Sequence, residues 1–197
     1  GQSILMQNYR QFIHQEYGVR QLLVEHTHFN DPEKREHIRR LLIRAAQQKT
    51  IPIVNYNDPV SDEENRKMEL AIRRSHGDQV VECVDNDETA AVIANLVHAK
   101  KLVLMTSTEG IYRDPADPKT LVEQVTAKSM EELEEKVRQL QESCVGASRA
   151  GANGAKAKLE YALKSARQGT MVIIGHARHR LSDLVEGRVA CTRIGLE

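Results

Sequence analysis

An α/β fold with a mostly parallel sheet covered by helices is what this sequence predicts. Short, wholly apolar runs recur at 51–54, 102–105 and 171–174, and such runs suit strands buried on both faces. Between them lie longer stretches with apolar residues every three or four positions, the period of a helix packed by one side. Glycines and Asx residues punctuate the joins. Helix alternating with buried strand implies βαβ units.

The elements follow in order. Residues 3–17 read as a helix, because Leu5, Tyr9, Phe12 and Ile13 share one face. Gly18 breaks it, and 19–25 is a strand built on Leu22, Leu23 and Val24. Asp31 and Pro32 open the next helix, Asp as cap and Pro at the first helical position. Its predicted buried stripe is Ile38, Leu41, Leu42, Ala45 and Ala46. After the strand at 51–54, residues 58–79 lose apolar content and read as a charged loop with room for a short solvated helix. A helix rich in Ala, Val, Ile and Leu is expected over 87–100, capped by Asp87, and a strand over 102–105. Ser129 and Glu132 have the spacing of a capping box for a charged helix to about 141. A small-residue loop at 146–154 leads into a helix over 155–168, ended by Gly169. The strand at 171–174, a short helix at 181–186 and a last, edge strand at 188–192 complete the pattern.

Bulk composition narrows the function. The 197 residues suit one domain. With 40% hydrophobic residues the chain has material for a sizeable core. Basic and acidic residues balance at 28 each, so no bulk field draws nucleic acid or anionic lipid. A phosphate site must therefore be local. Three widely spaced cysteines without a CxxC pattern argue against a disulfide framework and for a reducing, cytoplasmic setting. No run of 18 apolar residues appears, so no membrane span is expected. The close histidine pairs His26/His28 and His176/His179 lack a third spaced ligand, and no metal site is assigned.

Ligands of open parallel sheets sit beyond the carboxyl ends of the strands, which selects the segments after Val54, Met105 and Ile174. Asn55 to Asp58 brings two amides and a carboxylate to a strand exit, a set able to grip a small polar acid or amine. The same residues also make an ordinary Asx-rich turn. Asp85, Asn86 and Asp87 stand at a helix start, where they serve as caps or orient cationic groups. Thr106, Ser107 and the following Gly110 form a polar, glycine-punctuated loop after a strand. Residues 146–158 combine small side chains with Lys156 and Lys158 at a helix start, where free amides and positive charge favour phosphate. The spacing is neither that of the Walker loop nor that of the dinucleotide fingerprint.

Taken in order, these loops resemble the glutamate 5-kinase family of the amino acid kinase superfamily. Gly-Gln-Ser-Ile-Leu-Met at 1–6, followed by Tyr9, is similar to the helix after that family's second glycine loop. Pro-Ile-Val-Asn-Tyr-Asn-Asp at 52–58 resembles its Pro-Ile-Val-Asn-Glu-Asn-Asp, and Asp-Asn-Asp at 85–87 its Gly-Asp-Asn-Asp. Residues 151–159 resemble its Gly-Thr-Gly-Gly-Met-x-Thr-Lys-Leu. The resemblance implies a three-layer α/β/α sandwich that transfers the γ-phosphoryl group of ATP, with Mg²⁺, to the side-chain carboxylate of glutamate in proline biosynthesis, in a homo-oligomer. It places Asp58 and Asn86 at glutamate with Asn55 in support, and Asp87 as organiser of the catalytic cations. Thr106 and Ser107 fall at the nucleotide, with Ala152, Asn153, Gly154, Ala155, Lys156, Ala157 and Lys158 around its phosphates. Lys158 would neutralise the transferred group.

Three departures accompany the match. Ser107 stands where the family has Asp, Gly-Ala-Asn-Gly replaces Gly-Thr-Gly-Gly, and the stretch from Asp58 to Asp85 is longer. The resemblance also puts the family's opening Lys-x-Gly-Ser strand upstream of Gly1, so the domain is expected to be N-terminally incomplete. Other readings are a same-fold kinase with another acceptor, such as acetylglutamate, UMP or a small phosphate ester, and a degenerate domain that only binds ligand.

Overall fold

The structure, a computed structural model, describes residues 1–57, 63–77, 80–83, 85–114, 116–143 and 154–197, and no side chains at 63–66. Within it the chain forms two compact units, Gly1–Asn86 and Asp87–Glu197.

The first unit is built on two parallel strands, β1 (Gly18–Val24) and β2 (Thr50–Tyr56), paired in register from Gly18 with Thr50 to Val24 with Tyr56. The crossover between them carries α2 (His26–Asn30) and α3 (Pro32–Gln47). Asp31 caps α3 as its sequence requires: the carboxylate accepts the amides of Glu33 at 2.9 Å and Lys34 at 3.0 Å. Ile38, Leu42 and Ala45 form the buried stripe, whereas Leu41 and Ala46 lie outside it. At 100° per residue Leu41 and Ala46 flank the stripe rather than extend it.

The opening helix, α1 (Gln2–Phe12), stops five residues short of expectation, and none of its side chains is buried. The charged stretch after β2 forms a 13-residue helix, α4 (Glu63–Ser75), with Leu70 buried. Most of its described side chains stay in water, in keeping with the charge of this stretch.

The second unit holds a four-stranded sheet in the order β3 (Lys101–Thr106), β5 (Met171–His176), β6 (Thr192–Leu196), β4 (Gln124–Ala127). The β3–β5 and β4–β6 pairs are parallel and β5–β6 antiparallel, so with β1–β2 the mostly parallel expectation holds. Three layers are present in this unit. Val172, Ile174 and Ile194 face a core with Leu133, Val137 and Leu140 of α6 (Met130–Ser143) and Leu159, Ala162 and Leu163 of α7 (Ala155–Ala166). On the opposite side, Ile173 packs with Leu184 of α8 (Leu181–Glu186) and Cys191. Alternation along β5 thus sends Val172 and Ile174 to one helical layer and Ile173 to the other.

The last strand differs from its prediction. It begins at Thr192 instead of Arg188, and it lies between β5 and β4 rather than at an edge. Residues before it are used to end α8: Gly187 takes φ 71°, and the Arg188 amide bonds the Asp183 carbonyl at 2.9 Å. The true edge is β4, four residues long and unassigned from sequence. Ser129 caps α6 through the Glu132 amide at 3.2 Å, but Glu132 reaches back to the Lys128 amide, so only half of the capping box forms.

Among the described residues, Cys83 and Cys191 are buried, and no helix is long and apolar enough to cross a membrane. Cys144 lies outside the described residues.

Candidate active site

In the second unit, α5 (Asn86–Leu96) brings its second residue, Asp87, to the first turn of α7. There the Lys158 ammonium donates to the Asp87 carboxylate. About a fifth of each side chain is exposed. Partial burial weakens solvent screening, so the pair holds the lysine in one place. The helix begins at Asn86, and Asp87 sits inside its first turn rather than capping it.

The start of α7 is chemically bare. Gly154 is its N-cap with no side-chain hydrogen bond to the first turn, and no acidic residue lies in that turn. Ala155, Lys156, Ala157 and Lys158 follow, with Lys156 exposed. The turn's own side chains are thus small or cationic, and its positive end suits an anion. Ala152 and Asn153 lie outside the described residues.

Thr106 ends β3 opposite His176 of β5, and its carbonyl accepts the Ala177 amide at 2.8 Å. Ser107 is exposed. Two residues on, Glu109 is gripped by the segment after β5: His179 Nε2 lies 2.6 Å from its carboxylate, and the Arg178 guanidinium donates to it. The sequence shows His176 and His179 only as a close pair. The partner of His179 is 70 residues away, so no local spacing discloses it.

In the first unit, Asn55 lies within β2 beside Leu23 of β1, and its side-chain oxygen accepts the Tyr56 amide at 3.0 Å. Asn86 closes this unit, and Asp58 lies outside the described residues. A polar hub surrounds the strand exits. Buried His26 lies 3.2 Å from the Tyr56 hydroxyl and 3.2 Å from Glu69 of α4. The Asn57 amide donates to Glu25 at 2.7 Å. Asn30 makes two bonds to the backbone of Val81, both of 2.8 Å, and its carbonyl accepts from Arg73. Five-residue α2 carried too little pattern for these anchors to be anticipated.

The Amino acid kinase family model matches residues 1–176. This chain belongs to the amino acid kinase family. The glutamate 5-kinase of Geobacillus thermodenitrificans is 32% identical over all of this chain and 48% of its own length. The Geobacillus kaustophilus glutamate 5-kinase is 31% identical with the same coverage, and glutamate 5-kinase 1 of Bacillus subtilis is 29% identical over 99% of this chain and 49% of its own. This amino acid kinase chain thus spans about half the length of the curated relatives it matches. Among solved structures, carbamate kinase from Giardia lamblia bound to AMP-PNP overlaps it with a TM-score of 0.44, at 18% identity, over 57% of this chain and 32% of that one. No functional statement rests on that overlap.

In an amino acid kinase the donor set decides what this site can hold. The bare α7 start and Lys158 fit the phosphates of a nucleoside triphosphate. Among the described residues no group of three His, Cys, Asp or Glu side chains could hold a metal ion.

Proposed function

We propose that the chain serves ATP-dependent phosphorylation of the side-chain carboxylate of glutamate, a step of proline biosynthesis. The observation that carries this reading is Lys158, held by Asp87 on the first turn of an uncapped helix. The sequence similarity to glutamate 5-kinases supports the acceptor.

Phosphoryl transfer to a carboxylate asks the protein for positioning and charge stabilisation and for little covalent help. The acceptor is already an anion, so no strong general base is needed. One carboxylate oxygen attacks the γ-phosphorus, the bond to the bridging oxygen breaks, and ADP leaves with that electron pair. Lys158 stabilises negative charge on the transferred group, and Asp87 keeps the ammonium oriented before and after transfer. The amides of Ala155 and Lys156 offer donors to phosphate oxygens, while the exposed Lys156 supplies longer-range attraction. Gly154, Ala155 and Ala157 are small enough to leave the backbone accessible, and Ala152 and Asn153 are assigned to the same phosphate loop by the family resemblance. Thr106 and Ser107 border the nucleotide. Asn55, Asp58 and Asn86 bind glutamate, the amides bonding its carboxylates and Asp58 its ammonium group. Mg²⁺ arriving with ATP supplies the remaining charge neutralisation.

The test is trapping. Acyl phosphate formed from glutamate and ATP is captured with hydroxylamine, and acetylglutamate and UMP are offered in parallel reactions. Glutamate hydroxamate is expected. Transfer to another acceptor alone would replace glutamate in this reading, and nucleotide binding without any transfer would leave a ligand-binding domain.

A further inference from the structure

The loop after β3 is braced from a strand that the proposed chemistry does not use. Thr192, the first residue of β6, is fully buried. Its Oγ1 accepts the Ile111 amide at 2.8 Å and donates to the Val122 carbonyl at 2.7 Å. Ile111 and Val122 are themselves joined, the Val122 amide donating to the Ile111 carbonyl at 2.8 Å. One hydroxyl thereby closes a small ring with the two chain segments at the loop's base, which the Tyr112–Leu121 bridge continues. Gly110 lies against the same hydroxyl. A Cβ there would stand 2.4 Å from Thr192 Oγ1 and 2.9 Å from the Thr192 amide nitrogen, so only glycine allows this approach. Within the loop, the Thr108 hydroxyl bonds the Gly110 carbonyl at 3.0 Å, continuing the brace toward the exposed tip.

We infer that Thr192 is a positioning residue for the nucleotide, acting through Ile111 and Gly110 on the placement of Ser107 and Thr108. The inference rests on the proposed reading of Thr106 and Ser107 as the nucleotide's border. Chemistry explains why a hydroxyl is needed at a site where apolar packing would otherwise suffice. The position must accept from one backbone group and donate to another at once, and among small side chains only Thr and Ser do both. Valine has nearly the shape of threonine but leaves the Ile111 amide and the Val122 carbonyl without this partner. The loop must then move to find others.

The experiment compares the full chain with Thr192→Ser and Thr192→Val. Three quantities are measured: binding of a non-hydrolysable ATP analogue with Mg²⁺, amide exchange residue by residue, and the thermal midpoint. Serine is expected to bind the analogue as the parent does. Valine is expected to bind at least about tenfold more weakly, the scale of one buried polar group left unpaired. It should also show faster exchange at Ile111, with the amides of α7 and β5 unchanged. Valine binding as tightly as the parent overturns the inference, and so does uniformly faster exchange, which marks a residue of general stability. If the parent chain does not bind the analogue, the nucleotide reading fails and takes this inference with it. Exchange at Ile111 then shows whether the brace itself was sound. Should valine not fold, Gly110→Ala pushes on the same hydroxyl from the other side. It is expected to weaken binding in the same way, and unchanged affinity there is equally decisive against the inference.

Discussion

Lys158 and Asp87 meet although 71 residues separate them, the lysine from the first turn of α7 and the carboxylate from the first turn of α5. Each is the natural counter-charge of the other, and on the proposed reading the cation also faces the transferred phosphoryl group. Lys158→Ala should therefore lower glutamate-dependent turnover by about 10²–10³, the range seen when one donor to a developing charge is removed. The stability cost should be about 1–2 kcal/mol, less than the 3–5 typical of breaking a fully buried pair, because water still reaches both groups. Asp87→Asn keeps the shape and should reduce turnover less than the lysine change does. Steady-state kinetics and urea unfolding of the single and double variants check this. A turnover unchanged in Lys158→Ala would remove the lysine from the mechanism.

Asn30 ties α2 to the segment that leads to Asn86. Its carboxamide accepts the Val81 amide and donates to the Val81 carbonyl, as a neighbouring strand would. Asn30→Ala should destabilise the chain by about 2 kcal/mol, as expected for two lost bonds to partly buried groups. Asn30→Asp should cost a similar amount, because a carboxylate cannot donate to the carbonyl. If Asn86 binds the acceptor, both variants raise KM for glutamate more than they lower kcat. Equal effects on KM for ATP and glutamate would detach Asn30 from the acceptor side.

Glu109 divides its carboxylate between unequal partners. The Arg178 side chain is 63% exposed, whereas His179 and Glu109 are about four-fifths buried. A double-mutant cycle between Glu109→Gln and Arg178→Gln should give a coupling of about 0.2–1 kcal/mol, because one end of that pair is solvated. The cycle with His179→Ala should give the larger coupling, since both members of that pair are mostly buried. The reverse order would mean that Arg178 holds the loop.

Layering was legible in the sequence because buried strands announce themselves. Val172, Ile173 and Ile174 are apolar in succession and all three are fully buried. Asp31 with Pro32 was equally plain, since a cap acts on its own helix. What escaped was set by partners far along the chain. Arg193 and Gly195 give β6 a weak strand pattern, and its place in the middle of the sheet follows from pairing with β5 and β4. Lys158 and Asp87 could each be singled out by their helix starts, but their meeting could be expected only from the family resemblance. Thr192, Glu109 and Asn30 act through backbone or single side chains roughly 50 to 80 positions away, where no periodicity reaches.

Acid should loosen α3 through its cap. The amides of Lys34 and Glu33 donate to Asp31 and hold its carboxyl below the ordinary value of 3.8, the Lys34 bond contributing most. A carboxyl whose pKa is lower folded than unfolded adds stability that is complete above the unfolded value and disappears as pH falls through the folded one. The window for Asp31 therefore opens near pH 3.8 and lies below it. Asparagine at this position accepts the same two amides and does not titrate there. Urea midpoints of the parent and Asp31→Asn, measured from pH 6 down to pH 2.5, should keep a constant gap above about pH 5 and shift in favour of the variant in more acid solution. A gap that stays constant throughout would mean that the cap's charge contributes nothing to folding, leaving the hydrogen bonds alone to hold the start of the helix.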